Sequence, residues 1–307
     1  MSILHKKQVH PILIPTTRFQ DRFGNHDAYV DMNPSLHIEE QTGEVLIFVR
    51  TVNYRKYPNN AYTVYENKAR TIYGTLRGTM KEGPLHLDTF HFQPLEVMYQ
   101  RPTYPSWWSG VEDIRFVTKD TVLACVPECH PQGTPSIFQA TFHASTPTPT
   151  LTAFQPCQPS ATPEKNWMPY WDASKQTHKV IYSVSPFQIK SIQEDDREEI
   201  PLTPAQQQDL KGWHGSSNAI DLFGQKVCLI HKNADRVYHR WVLFDPVEKR
   251  VHASKPFVFF PHSYIEFVCS LAQYQGTIYV SLGVNDNRSF IVEVEPTAIL
   301  PLFDTTA

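Results

Sequence analysis

The feature that most constrains this chain is a unit that recurs five times. Five runs share one plan, a turn or polar start, an apolar middle and a polar end: "GEVLIFVRTVNY", "DTVLACVPE", "HKVIYSVSPF", "QKVCLIHK" and "GTIYVSLGVND". Their Val, Ile, Phe, Tyr and Thr content between turn residues reads as β-strand. Each is preceded by a polar cluster leading into another strand: "NPSLHI" at Asn33, "GVEDIRF" at Gly110, "EKNWMPY" at Glu164, "HGSSNAI" at His214 and "YIEFVCSLA" at Tyr264. Each is followed by a third strand candidate: "AYTVYEN", "PSIFQATF", "FQIKSIQ", "YHRWVLFD" and "RSFIVEVE". The later three units start about fifty residues apart, and an insertion stretches the first interval. A multi-strand repeat of this period marks a β-propeller blade, so the expected fold is an all-β, five-bladed β-propeller with a central channel. The expected domain spans 1–307, with blades starting near 33, 110, 164, 214 and 264. A β-sandwich with chance similarity is the competing architecture. The one clear helix candidate is "TPAQQQDLKGW", with Thr203 as cap and Pro204 in the first turn.

Composition narrows the function. The 28 Lys+Arg and 31 Asp+Glu give a formal charge of -3, so nothing favours nucleic acid. No apolar run approaches the roughly 18–20 residues of a membrane span, and "MSILHKKQVHPILIP" lacks a signal-peptide core, so a cytoplasmic location is expected. Cys125, Cys228 and Cys269 lie in strand-like runs and read as buried reduced thiols. "CVPECH" has no second cluster with matching spacing, so no metal is expected. No cofactor pattern is present.

The first strand of a blade lines the channel, so the polar clusters converge on one funnel, where sites form. In "VEDIR", strand alternation puts Asp113 and Arg115 on one face and Glu112 on the other. "EKNWMPY" offers Lys165 and Asn166 as donors and Trp167 as an apolar face for a sugar. "HGSSN" supplies His214 but not the pattern of a serine-nucleophile elbow. "LIHK" and "VYHRW" add His231, Tyr238, His239 and Arg240, and Asn285 and Asp286 end a strand. Acids with many Arg, Lys, His and Tyr suit a carbohydrate plus an anion.

In this order the clusters resemble the five-bladed propeller enzymes of glycoside hydrolase family 130 and their phosphorylase and mannosyltransferase relatives. The resemblance runs from about Asn33 to Val294. It is carried by "NPS…FVR", "GVEDIR", "EKNWMPY", "LIHK…YHR…LFD" and "IEFVCSLA…VSLGVND". It implies an enzyme cleaving or forming β-mannosidic linkages, with Asp113 as general acid in the position of an E-D-P-R motif and Arg115 as that motif's arginine. Lys165, His231, Tyr238 and Arg240 fall near phosphate- or sugar-holding positions, and Asn33, Arg50 and Asp286 match sugar contacts. Asn53, Asn166, Trp167, His214, Glu266 and Asn285 complete the expected substrate-binding set. Ile114 stands where the motif has proline.

The expected partner is an oligosaccharide or sugar phosphate, with inorganic phosphate as an optional co-substrate; homo-oligomers are compatible with the sequence. A general acid needs an environment that raises its pKa. Glu112 and the tryptophans would help and Arg115 would oppose. Hydrolysis would need a second carboxylate, Glu266 or Asp286. A glycan-binding or protein-interaction propeller without activity is the alternative. A furanoside glycosidase ranks last, since only Asp31 is available in the first unit.

Overall fold

The computed structural model describes residues 2–14, 29–56, 61–65, 68–81, 83–144, 147–157 and 163–303. The chain forms a five-bladed β-propeller. Blade one is Val30–Ile38, Glu44–Val52, Ala69–Thr79 and His91–Val97; blade two is Glu112–Phe116, Thr121–Cys125, Ile137–His143 and Thr150–Pro156. Blade three is Met168–Asp172, Thr177–Val184, Phe187–Ser191 and Glu198–Glu199. Blade four places His214–Gly215 and Ile220–Leu222 beside Gln225–Asn233, followed by Val237–Asp245 and Arg250–Ala253. Blade five is Glu266–Tyr274, Thr277–Val284 and Arg288–Val294, completed by Gln8–Ile12 from the chain's start.

The second strands are almost unbroken apolar runs because each blade is packed on both faces. All eight residues of Thr277–Val284 are buried. Five hydrophobic clusters among the described residues correspond to five blade interfaces. Blades one and two meet through Phe48, Phe116 and Phe142, and blades two and three through Leu123, Trp167 and Val180. Phe187 and Phe244 join three to four, Leu229 and Val280 join four to five, and Ile47 and Ile291 join five to one. Five blades with five shared cores make a closed ring.

Two local readings are resolved. Thr203 accepts from the Gln206 N–H and Gln206 answers to the Thr203 backbone, a capping box that starts the helix Pro204–Leu210. The third strand of blade one is Ala69–Thr79, not the run at "AYTVYEN": Tyr62–Val64 instead pairs with Tyr54–Lys56 in a separate hairpin, and Glu66 and Asn67 lie outside the described residues. This hairpin is part of the insertion that stretched the first interval, and it bears on the site.

Candidate active site

The innermost strands are not regular where the polar clusters sit. Pairing slips between Met32 and Ser35 in blade one and between Glu112 and Arg115 in blade two. At each slip an Asx residue takes a left-handed backbone, Asn33 at φ 43° and Asp113 at φ 48°, and Asn166 ahead of blade three does the same at φ 63°. Asn and Asp tolerate this conformation better than other side chains with a Cβ. A bulge adds one residue, which breaks the alternation of faces. The expected separation of Glu112 from Asp113 is therefore corrected: both acids reach Arg50. Its Nη1 donates to Asp113 Oδ1 at 3.0 Å, and its Nη2 donates to Glu112 and, at 2.9 Å, to the Tyr54 hydroxyl.

A bulge also leaves backbone groups unpaired, and short side chains from neighbouring blades satisfy them. Ser35 donates to the Ile114 carbonyl, and Ser270 accepts from Leu36 N–H at 2.6 Å. Ser216 donates to Val268 O at 2.7 Å, and Asn218 bonds Leu271 through both ends of its amide. "HGSSNAI" is thus a stitch between blades. Gly283 is required where blade five passes blade one, since a Cβ there would collide with Asn33. Ile114 is fully buried in the core of blades one and two.

These strands enclose a cavity of about 270 Å³ lined by Asn33, Arg50, Glu112, Asp113, Lys165, Asn166, His231, Glu266 and Asp286, with Tyr54, Tyr62 and Phe267 among the others. Asn33 Nδ2 lies 3.5 Å from Asp113 Oδ1. Arg115 stands behind the wall, where its Nη1 donates to the Asp113 carbonyl at 3.1 Å and its Nε to Ser216 O at 2.7 Å. Lys165 Nζ is 3.5 Å from Glu112 Oε2 and 5.1 Å from the centre of the Trp108 ring.

The electrostatics reverse one expectation. Burial pushes the Asp113 pKa up, but Arg50, Arg115 and Lys165 outweigh it and hold the carboxyl below its usual range. Three cations outweigh the upward push expected from Glu112 and the tryptophans, so Asp113 rests ionised. Burial likewise works against the Lys165 ammonium, yet Glu112 more than compensates and its pKa is raised. His231 goes the other way: burial, helped by His239, lowers it to about 3, so it stays neutral.

Several expected contacts are corrected. Trp167 is buried between blades two and three, where its Nε1 donates to Glu164 at 3.1 Å and Lys190 sits over its ring at 4.3 Å. Asn53 holds Lys68 O and Arg70 N, which fixes the base of the insertion. Asn285 accepts from Tyr264 N and Ile265 N as a turn brace. Arg240 forms a two-pronged pair with Asp209, the Nη2–Oδ1 arm 2.9 Å long, over the Trp213 ring. Tyr238 bonds Asp235, and neither it nor Arg240 lines the cavity. His214 is exposed, its ring centre 5.8 Å from that of His231. Glu266 reaches the wall, but its carboxylate is occupied by Phe259 N–H, Phe260 N–H and Ser263. Of the expected phosphate set, Lys165 and His231 line the cavity.

Sequence reasoning missed Tyr54 and Tyr62. Their signal was the aromatic content of the insertion, "NYRKY…AYTVY", whose place at the cavity wall is visible only in the folded chain.

No protein-family model matches the chain, and no curated protein matches it by sequence. Solved structures do. A β-1,2-mannobiose phosphorylase from Listeria innocua superposes with a TM-score of 0.60 at 13% identity, covering 96% of this chain and 99% of that one. A glycosyl hydrolase from Bacteroides ovatus gives 0.55 at 13% identity, covering 96% and 95%. A structure described under the GH130 family of mannoside phosphorylases, which contains hydrolases targeting β-1,2 mannosidic linkages in Candida mannan, gives 0.53 at 13% identity, covering 87% and 85%. The fold of this chain is therefore GH130-like.

Proposed function

We propose that the protein is a carbohydrate-active enzyme that cleaves or forms β-mannosidic linkages, with Asp113 as the general acid. The observation that carries this reading is the gathering of Asp113, Glu112, Arg50, Asn33, Lys165 and Asp286 from separate blades around one cavity of about 270 Å³. The structural likeness to mannoside phosphorylases and hydrolases supports the substrate class. In cleavage, Asp113 gives its proton to the glycosidic oxygen or to a sugar hydroxyl that relays it. The C1–O bond breaks, and water or phosphate adds to C1. Asn33 and Arg50 orient the acid, and Lys165 faces the cavity as an anion contact. A phosphate dianion beside Lys165 offsets the cations that keep Asp113 ionised, which favours proton uptake where the proton is needed. Glu266 has its oxygens filled and a depressed pKa, which makes it a poor base; for hydrolysis we propose Asp286, which also lines the cavity, as the carboxylate that activates water.

The test is incubation with β-1,2-mannobiose, with and without inorganic phosphate, scoring mannose and mannose 1-phosphate. A sugar-nucleotide donor and mannose acceptor test transfer. The reading requires product that disappears in a folded Asp113→Asn variant. A second reading, glycan binding without turnover, is favoured by the ionised resting state of Asp113. It predicts saccharide binding in both proteins and product in neither.

A further inference from the structure

Beside the acid cavity lies a second, larger cleft of about 450 Å³, and the two share Tyr54, Tyr62, Glu112 and Lys165. Its remaining walls are apolar: Val64 from the insertion, Ala69 at the start of the third strand of blade one, and Trp107 and Trp108 ahead of blade two. Trp107 is 86% exposed and Tyr62 58% exposed. Large aromatics left in water beside a polar cavity mark a binding surface more often than a packing remnant. Lys165 ties the cleft's floor to the acid pair, with its ammonium over the Trp108 ring at 5.1 Å and 3.5 Å from Glu112. The arrangement is polar and charged where a bond would be cut, then aromatic and open beyond it.

We propose that this cleft holds the part of an oligosaccharide that lies outside the acid cavity, at least two sugars long, with Trp107 stacking on the outer ring. The proposal rests on the mannoside reading and deepens it. Continuity argues for the occupant, because the two cavities share Tyr54, Tyr62, Glu112 and Lys165 as a common wall. The acid cavity is smaller than a typical ligand pocket of roughly 300–1,000 Å³, and the cleft lies inside that range, so the greater part of a ligand belongs to the cleft. A pyranose fits such a surface because its C–H face packs on an aromatic ring while its hydroxyls stay in water. Both tryptophans are in the "SWWSGVEDIRF" segment that carries Asp113, so the platform and the acid are set by one stretch of chain.

The experiment separates this proposal from the catalytic reading by measuring affinity rather than turnover. Titrations of the full chain and of Trp107→Ala with β-1,2-linked mannobiose, mannotriose and mannotetraose are followed by calorimetry. Affinity is expected to rise about five-fold from the disaccharide to the longer chains, a stacking-sized gain, and Trp107→Ala is expected to bring that ratio towards one. Affinity independent of length, absence of binding at every length, or a ratio untouched by Trp107→Ala would overturn the proposal. Tighter binding of 4-nitrophenyl β-mannoside than of mannotriose would also overturn it, by assigning the cleft to an aryl group. Length-dependent binding without product would leave the platform standing and defeat the catalytic reading.

Discussion

Asp113 and Glu266 are the same kind of residue in corresponding places. Each is a carboxylate in the first two residues of an innermost strand, each borders the cavity, and each is held below its usual pKa against the push of burial. What differs is who holds them. Burial pushes the Glu266 pKa up, but His239 from blade four and then Ser263 bring it down, and its oxygens are filled by Phe259 N–H at 2.8 Å and Phe260 N–H at 2.7 Å. Asp113 is held by side chains from its own and another blade, Arg50, Asn33 and Arg115, and its side chain remains 14% exposed. Backbone donors fix a loop and leave no oxygen for a substrate. Side-chain donors on separate blades can shift when a ligand arrives. Charge and position alone do not distinguish the two acids; what fills their oxygens does.

The comparison breaks most readily at Asp113. Asp113→Asn should lower turnover on a mannoside substrate by about 10³-fold, equivalent to about 4 kcal/mol, with the melting temperature little changed. Steady-state rates with a thermal melt check this, and a variant that unfolds or retains full rate would erase the contrast. Glu266→Ala should act the opposite way. It strands two buried N–H donors and should cost about 3 kcal/mol of stability, read from urea unfolding.

Acid should expose a third difference, at His231. Its folded pKa of about 3 lies below the unfolded value near 6.5, so the unfolded chain binds the extra proton between those limits. Stability is therefore fully present above about pH 6.5 and falls as pH drops through that window. Between pH 7 and 5 the loss from this group approaches about 2 kcal/mol, and His231→Asn should flatten that part of the profile. Glu266 adds its loss at lower pH, starting in the ordinary carboxylate range where the unfolded chain takes up the proton and complete once its own depressed pKa is passed. The smallest effect belongs to Arg240. Its pair with Asp209, whose side chain is 53% exposed, makes Arg240→Ala a change of about 1 kcal/mol in stability, with phosphate dependence unaltered. A raised phosphate requirement in that variant would return Arg240 to the anion site.

Much of this was legible in the chain. Repeated apolar runs fix the strands because a blade buried on both faces needs continuous Val, Ile, Leu and Phe. Thr203 and Gln206 announce their helix because capping is local chemistry. The polar clusters "NPS", "VEDIR" and "EKNW" mark the channel because the first strand of each repeated unit lines it, while the left-handed backbone of Asn33, Asp113 and Asn166 is visible only in the fold. The blade-one hairpin was misassigned because Tyr62–Val64 has strand composition, and composition does not say which sheet a strand joins.

The tertiary structure alone decided the rest. It turned Glu112 and Asp113 onto one guanidinium, since a bulge inserts a residue that no alternation pattern anticipates. It placed Trp167, Asn53, Asn285 and Arg240 in packing and bracing, since whether a polar or aromatic side chain is free depends on neighbours outside its own strand. It set Asp113 as an ion, since a pKa is a sum over charges that only the closed ring brings together. Sequence determines strand, turn and cap because those forces act within a few residues; the site is made of long-range contacts, and only the fold supplies them.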